Sequence, residues 1–212
     1  GHVSINHIVN DNNAFSMVQA TEDVYWIGTF GGGLNRYNAR DNIFTTFEAD
    51  PGNPNSLSDN NIYCLFLDQQ GVLWIGTDNG MDKFDESSGE FHHFKHVLDD
   101  TRSLSNNAVY CILEDEGGDL WIGTGGGGLN KYDRKTGLFT SFTKRDGLPN
   151  DVVYAIVAGR DGAFWLSTNL GLSRFDLKTE SFTNYTVHDG LQSNEFNGGA
   201  FFGADDGEIF FG

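Results

Sequence analysis

The sequence predicts an all-β chain in which one four-stranded unit is used again and again. Three observations lead there. The first is the stretch Leu120-Trp121-Ile122-Gly123-Thr124, which recurs as Tyr25-Trp26-Ile27-Gly28-Thr29 and Leu73-Trp74-Ile75-Gly76-Thr77. Looser copies are Phe164-Trp165-Leu166-Ser167-Thr168 and Ile209-Phe210-Phe211-Gly212. The steps from Trp26 to Trp74, Trp121 and Trp165 are 48, 47 and 44 residues, and Trp165 to Phe210 is 45. The second is composition: 14% aromatics, 28 Gly and only 3 Pro in 212 residues. That mixture suits short strands joined by tight turns and is the reverse of a disordered chain. The third is the absence of any i, i+3, i+4, i+7 apolar stripe, with Gly recurring where it would break a helix.

Each unit divides into four strands. The first is residues 63–68, matched by 15–19, 110–114 and 154–157, nearly continuous apolar runs expected to be buried on both faces. A polar turn such as Asp115-Glu116-Gly117-Gly118 leads into the second strand, which carries the Trp. A Gly turn opens the third strand at 33–38, 80–85, 128–133 and 171–176. Its Leu or Met and its aromatic lie three apart, so a bulge, or burial on both sides, is needed to cover both. The fourth strand follows at a constant step, from Asn38 to Phe44, Asp85 to Phe91, Asp133 to Phe139 and Asp176 to Phe182. A fixed turn length pins hairpin register.

The length differences sit in loops. The connector to the next unit is 13 residues twice (Phe47 to Asn60, Phe94 to Asn107) and 9 twice (Phe142 to Asp151, Tyr185 to Asn194). Constant strands with variable loops describe a scaffold bearing a variable face. A four-stranded unit of this period is a β-propeller blade. The expectation is a β-propeller fragment of four blades, at about 12–49, 60–96, 107–144 and 151–187, plus the first two strands of a fifth at about 194–212. Unsatisfied ends imply an open arc belonging to a larger ring, with dimerisation across them.

Charge and cysteines bound the function. A formal net charge of −17 argues against nucleic acid as a partner. No apolar run approaches the roughly 20 residues of a membrane helix. Cys64 and Cys111 occupy equivalent places in successive units, normally too far apart for a disulfide, and are expected to be small buried residues.

The pattern Asn107-Ala108-Val109-Tyr110, Asp115, Gly118-Asp119-Leu120-Trp121-Ile122-Gly123-Thr124, Gly128-Leu129-Asn130-Lys131-Tyr132-Asp133 and Thr136-Gly137-Leu138-Phe139 resembles the two-component regulator propeller repeat. It recurs in register four times. The segment from Asp189-Gly190-Leu191 to Asp206-Gly207-Glu208-Ile209-Phe210-Phe211-Gly212 is similar to the closing blade of such propellers. The resemblance implies the periplasmic sensor region of a hybrid two-component histidine kinase of Bacteroidetes. It implies an oligosaccharide ligand, further blades and an immunoglobulin-like domain in the same chain, a homodimer, and control of polysaccharide utilisation. No cofactor and no metal are implied.

The candidate ligand contacts are Asn12, Asn60, Asn107, Asp151 and Asn194, each three residues before Phe15, Tyr63, Tyr110, Tyr154 and Asn197. In a propeller these positions converge on one mouth of the channel. Amides there can bond sugar hydroxyls, and Tyr63, Tyr110 and Tyr154 can cover sugar faces. The same Asn and Asp residues are also ordinary turn formers. The four motif residues Trp26, Trp74, Trp121 and Trp165 recur too evenly for a binding site and are expected to be wedges between blades.

Other clusters are weaker. The glycine runs at 31–33 and 125–128 lack the Lys-Ser/Thr of a phosphate loop. His92, His93 and His96 are read as a solvated strand face. Asp50, Asn53, Asn55, Asp99 and Asp100 offer oxygens without the spacing of a calcium loop. His188 and Glu195 flank the last connector as the one acid–base pair for a propeller lyase. A protein-docking propeller without a small ligand is the rival reading to a sensor.

Overall fold

The computed structural model describes residues 13–204 and 206–212. Blade 1 comprises β1 (Ala14–Gln19), β2 (Val24–Thr29), β3 (Leu34–Asn38) and β4 (Ile43–Phe47). Blade 2 comprises β5 (Ile62–Leu67), β6 (Leu73–Thr77), β7 (Gly80–Asp85) and β8 (Glu90–Phe94). Blade 3 holds β9 (Val109–Glu114), β10 (Leu120–Thr124), β11 (Leu129–Asp133) and β12 (Leu138–Phe142). Blade 4 holds β13 (Val153–Ala158), β14 (Ala163–Thr168), β15 (Gly171–Asp176) and β16 (Ser181–Tyr185). Each is an antiparallel meander in chain order, and β17 (Phe201–Gly203) pairs with β18 (Ile209–Phe211) as a separate hairpin. The fold is thus an all-β propeller of four-stranded blades. Two compact units divide the chain between Lys95 and His96, the first holding blades 1 and 2, the second blades 3 and 4 and the hairpin.

The third strands are regular. Leu129 to Asp133 pairs residue for residue with Phe142 to Leu138. Burial on both sides covers Leu34, Met81 and Leu129 in full and Leu172 partly, and the aromatic fully at Phe84 and Phe175 and partly at Tyr37 and Tyr132. The bulge lies instead in the first strand. Pairing skips from Ala14 to Ser16, from Ile62 to Cys64, from Val109 to Cys111 and from Val153 to Ala155. The residue left out is Phe15, Tyr63, Tyr110 or Tyr154, the aromatic of that position. A bulge re-aims the side chain it displaces.

Trp26 and Trp121 each lie in a packed sandwich between the two blades of their unit. In the first unit, Trp26 meets Phe47 of its own blade and, edge-on at 5.1 Å, Phe84 of blade 2. In the second, Trp121 stacks on Phe142 at 5.9 Å and meets Phe164 and Phe175 of blade 4, each at 5.4 Å. Its indole N–H donates to Asp115 Oδ2 at 2.8 Å, as Trp74 donates to Asp68 at 2.9 Å. Ala20 and Gly159 occupy the equivalent places in blades 1 and 4. Trp165 is only half-buried, with Tyr185 as its stacking partner.

Three expectations need correction. The first strand of blade 1 is not buried on both faces, since Phe15 is 47% and Met17 65% exposed. Blade 1 has only one neighbouring blade within its unit, so β1 is covered on one side. Cys111 is buried, but Cys64 is only partly covered as a residue, although burial pushes its thiol up to about 12. Both cysteines are free.

Nor is the histidine cluster simply a solvated face. His92 is exposed, but His96 Nδ1 lies 2.9 Å from the Leu104 carbonyl. His93 Nδ1 lies 2.7 Å from Asp82 Oδ1 and its Nε2 lies 2.8 Å from the Pro54 carbonyl. Asp82 is fully buried, and its second oxygen takes the Ser58 N–H at 2.8 Å. Both ring nitrogens face acceptors, so only the doubly protonated imidazolium satisfies both.

The Asp82 hydrogen bond raises the His93 pKa above its ordinary value, against the opposing effect of burial. A pKa raised on folding adds stability that is complete below the unfolded value and is lost as pH rises through the folded one. The melting temperature is therefore expected to fall as pH rises above about 6.5, the ordinary histidine value, more steeply in the native chain than in His93→Gln. Equal slopes in thermal scans would refute the charged pair.

Candidate functional site

Within each unit the bulge aromatics gather at the end of the sheets where the connectors meet the turns between second and third strands. In the first unit Phe15 and Tyr63 pack edge-to-face at 6.0 Å, with Phe30 5.7 Å from Tyr63 and 6.4 Å from Phe15. In the second, Tyr110 and Tyr154 stack at 5.5 Å with planes 10° apart. Phe15 and Phe30 are partly open to solvent, at 47% and 37%. All are flat apolar faces, and the tyrosines add a polar edge, the chemistry that covers one side of a pyranose ring.

Each aromatic also has a partner in its own blade, the residue just after the motif threonine. The Tyr63 hydroxyl donates to Asp78 Oδ1 at 2.8 Å, and the Tyr154 hydroxyl to Asn169 Oδ1 at 2.9 Å. Phe15 faces Phe30. In blade 3 the position is Gly125, where a Cβ would fall 2.8 Å from the Tyr110 hydroxyl oxygen. Asp78 is held further by the Asn61 carboxamide at 3.0 Å. Main-chain bonds fix these partners against the start of the first strand: Phe30 N to Asn13 O, Asp78 N to Asn61 O and Gly125 N to Ala108 O. The site is therefore one repeated two-residue device with a constant ring and a variable neighbour: Phe30, Asp78, Gly125, Asn169. These neighbours are not among the candidates read from the sequence. The signal lies in the sequence, because this position changes chemistry in every blade while the Thr before it and the Gly that opens the third strand persist.

The Asn and Asp candidates take another geometry. Asn60 Oδ1 accepts the Ala49 N–H at 2.8 Å, and Asn107 Oδ1 the His96 N–H at 2.7 Å. Asp151 Oδ1 accepts from Lys144 N at 2.7 Å, and Asn194 Oδ1 from Val187 N at 2.8 Å. Each side chain closes its own connector. Their main-chain carbonyls also reach the preceding blade: Asn60 O takes Gly31 N and Gly33 N, Asp151 O takes Gly128 N, and Asn194 O takes Gly171 N. Asn12 lies outside the described residues.

The remaining candidates stay apart from this rim. Asp50, Asn53 and Asp100 each accept an N–H two residues on and so fold the long connectors. His188 and Glu195 are both exposed, and among the described residues no hydrogen bond or ion pair joins them.

Comparison with known proteins follows the same lines. Residues 56–79, 103–126 and 147–170 match the family described as two component regulator propeller. Each match runs from a connector through the bulge aromatic to the turn after the Trp motif. Histidine kinase P4 of Formosa agariphila is 27% identical over 77 residues, 36% of this chain and 6% of that protein. A solved chain described as the extracellular domain of a hybrid two component system from B. thetaiotaomicron superposes with a TM-score of 0.85 at 22% identity. It covers 100% of this chain, which spans only 29% of that one. Virginiamycin B lyase from Staphylococcus aureus superposes with a TM-score of 0.71 at 18% identity, over 96% of this chain and 64% of the lyase. At these identities the likeness of structure shows the propeller fold alone.

Proposed function

Since this chain belongs to the two-component regulator propeller family, we propose that it is the ligand-binding propeller of a sensor histidine kinase and lies outside the cytoplasm. Its ligand is an oligosaccharide taken at the aromatic rim of a unit, each unit having its own, and it performs no chemistry. The observation that carries this reading is the constant ring with a variable neighbour at the end of each first strand. Tyr63, Tyr110 and Tyr154 supply flat faces, and Asp78 and Asn169 supply acceptors beside them. Asn60, Asn107, Asp151 and Asn194 hold the connectors that frame the rim. Binding reaches the kinase only through differential affinity for two states of the receptor, passed through an immunoglobulin-like domain to a dimer across the membrane.

Calorimetry of the whole sensor ectodomain against a panel of plant and host oligosaccharides tests this. One member is expected to bind, and Tyr63→Ala is expected to weaken binding at the rim of the first unit, and Tyr110→Ala at that of the second, at least tenfold, about 1.4 kcal/mol. Tyr63→Phe is expected to keep most of the affinity. No heat with any saccharide, together with tight binding of a protein partner, would favour the docking propeller instead. The lyase reading lacks a paired acid and base, because His188 and Glu195 do not meet.

A further inference from the structure

At the opposite end of blades 1 and 2, away from the aromatic rim, a cleft of about 410 Å³ opens between the two sheets. It is bounded by the turns joining first to second strands and third to fourth strands, and Trp26, Leu73 and Phe84 form its apolar floor. Two cations enter it, Arg36 of β3 and Lys83 of β7. These residues belong to a series. Arg36, Lys83, Lys131 and Arg174 occupy one position in the four blades, opposite the Trp in the register of the second and third strands. The first three lie over the Trp ring of their own blade, 5.5–5.9 Å from its centroid.

In the second unit this cation is neutralised from the adjoining turn. Lys131 Nζ lies 3.0 Å from Asp119, and Arg174 meets Asp161 with two nitrogens, at 2.9 and 2.6 Å. Burial alone would lower the Lys131 pKa, but Asp119 and the neighbouring acids raise it. In the first unit Val24 and Val72 stand where Asp119 stands, two residues before the Trp. Where Asp161 stands, blade 2 has Gln70 and blade 1 has Glu22, which is exposed and makes no ion pair with Arg36 among the described residues. Among the described residues Lys83 has no ion pair. Arg36 Nη2 has only Glu86 at 3.6 Å, a side chain 76% exposed, and its Nε is buried without an acceptor. The other acid of the cleft, Asp85, is tied to Ser87, accepting its N–H at 2.9 Å and its hydroxyl at 2.7 Å.

We propose that this cleft is a second binding site, for a small molecule carrying one oxyanion, a carboxylate or a sulfate ester, on a compact body. The anion bonds Arg36 and Lys83, which no turn carboxylate engages here as Asp119 and Asp161 do in the second unit, and displaces Glu86 outward. The body rests on the Trp26 and Phe84 floor. A cleft of this size suits a single ring, and an oxyanion is the group that a guanidinium fork and an ammonium select. This proposal is independent of the saccharide reading of the aromatic rim, since the two sites lie at opposite ends of the sheets.

The test uses glucuronate, glucose 6-sulfate and, as the uncharged control, methyl glucuronate. Binding to the isotope-labelled ectodomain is followed by the shift of the Trp26 indole resonance. Glucuronate or glucose 6-sulfate is expected to shift it saturably, and which of the two binds more tightly identifies the source of the anion. The methyl ester is expected to bind at least tenfold more weakly. Val72→Asp installs the acid that Asp119 supplies in blade 3, on a turn of the same length whose Asp68 already accepts the residue-72 N–H at 2.8 Å. It is expected to weaken binding at least tenfold with the melting temperature unchanged, and Lys83→Gln is expected to do the same. Equal binding of acid and methyl ester, full affinity in Val72→Asp, or no saturable shift with either anion overturns the proposal. Loss of rim binding in Tyr63→Ala leaves the Trp26 response intact, so failure of one site is distinguishable from failure of the other.

Discussion

Trp121→Ala is expected to lower the unfolding free energy by about 3–5 kcal/mol, the range for deleting a fully buried large aromatic. Trp121 is 2% exposed and touches Phe142 of its own blade and Phe164 and Phe175 of blade 4. Its removal empties the joint between two blades, and Asp115 loses its indole donor. Lys131 loses the ring beneath it, 5.5 Å from its ammonium. Trp165 provides the internal comparison. It is half-buried, stacks on Tyr185 and has Gly159 where an anchoring acid would be, so Trp165→Ala is expected to cost about 1–2 kcal/mol. Urea unfolding of both variants measures the difference, and equal losses would show that the evenly spaced tryptophans are not wedges.

Gly128→Ala is expected to cost about 2–4 kcal/mol, from two sources. Gly128 has φ = 76°, a left-handed conformation unfavourable to a side chain, and a Cβ there would press on the Phe142 carbonyl oxygen. That carbonyl belongs to the neighbouring strand and cannot move without breaking the hairpin. Gly128 N also donates to Asp151 O at 2.7 Å, so the displacement reaches the next blade. Gly137 isolates the first source: φ is 72°, with open space around its Cβ. Gly137→Ala is expected to cost only about 1 kcal/mol, the conformational part. If the two variants unfold at the same urea concentration, the close approach at Gly128 carries no energy.

The scaffold was legible because its determinants are local and repeated. A Trp every 44–48 residues, a constant turn before Phe44, Phe91, Phe139 and Phe182, and two connector lengths were enough to count strands and blades. What escaped were features defined by tertiary pairing. The three-residue spacing of Leu129 and Tyr132 pointed to a bulge or to two-sided burial, and only the stacking of blade on blade decides for the second. The bulge at Tyr63 and Tyr110 has no signature in strands already rich in apolar residues, because alternation is not visible there. His93 looked like an exposed strand residue. Its partner Asp82 lies opposite on the preceding strand, and the Pro54 carbonyl is 39 residues away. The candidate amides at Asn60 and Asn107 were legible as turn formers. Their bonds across eleven residues required the folded connector. Phe30, Asp78 and Asn169 were visible as variation but lacked meaning until the tyrosines were seen beside them.

The connector bonds have one more consequence. Asn60 and Asn107 close loops spanning eleven residues, and Asp151 and Asn194 make the same bond across seven. One latch therefore accepts spans of two lengths and returns the chain to the same starting point for the next strand. Whatever lies between can be lengthened, shortened or exchanged as a cassette without shifting a single strand. A lineage under pressure to recognise new molecules can recombine these loops piecemeal while the tryptophan-wedged frame remains unchanged.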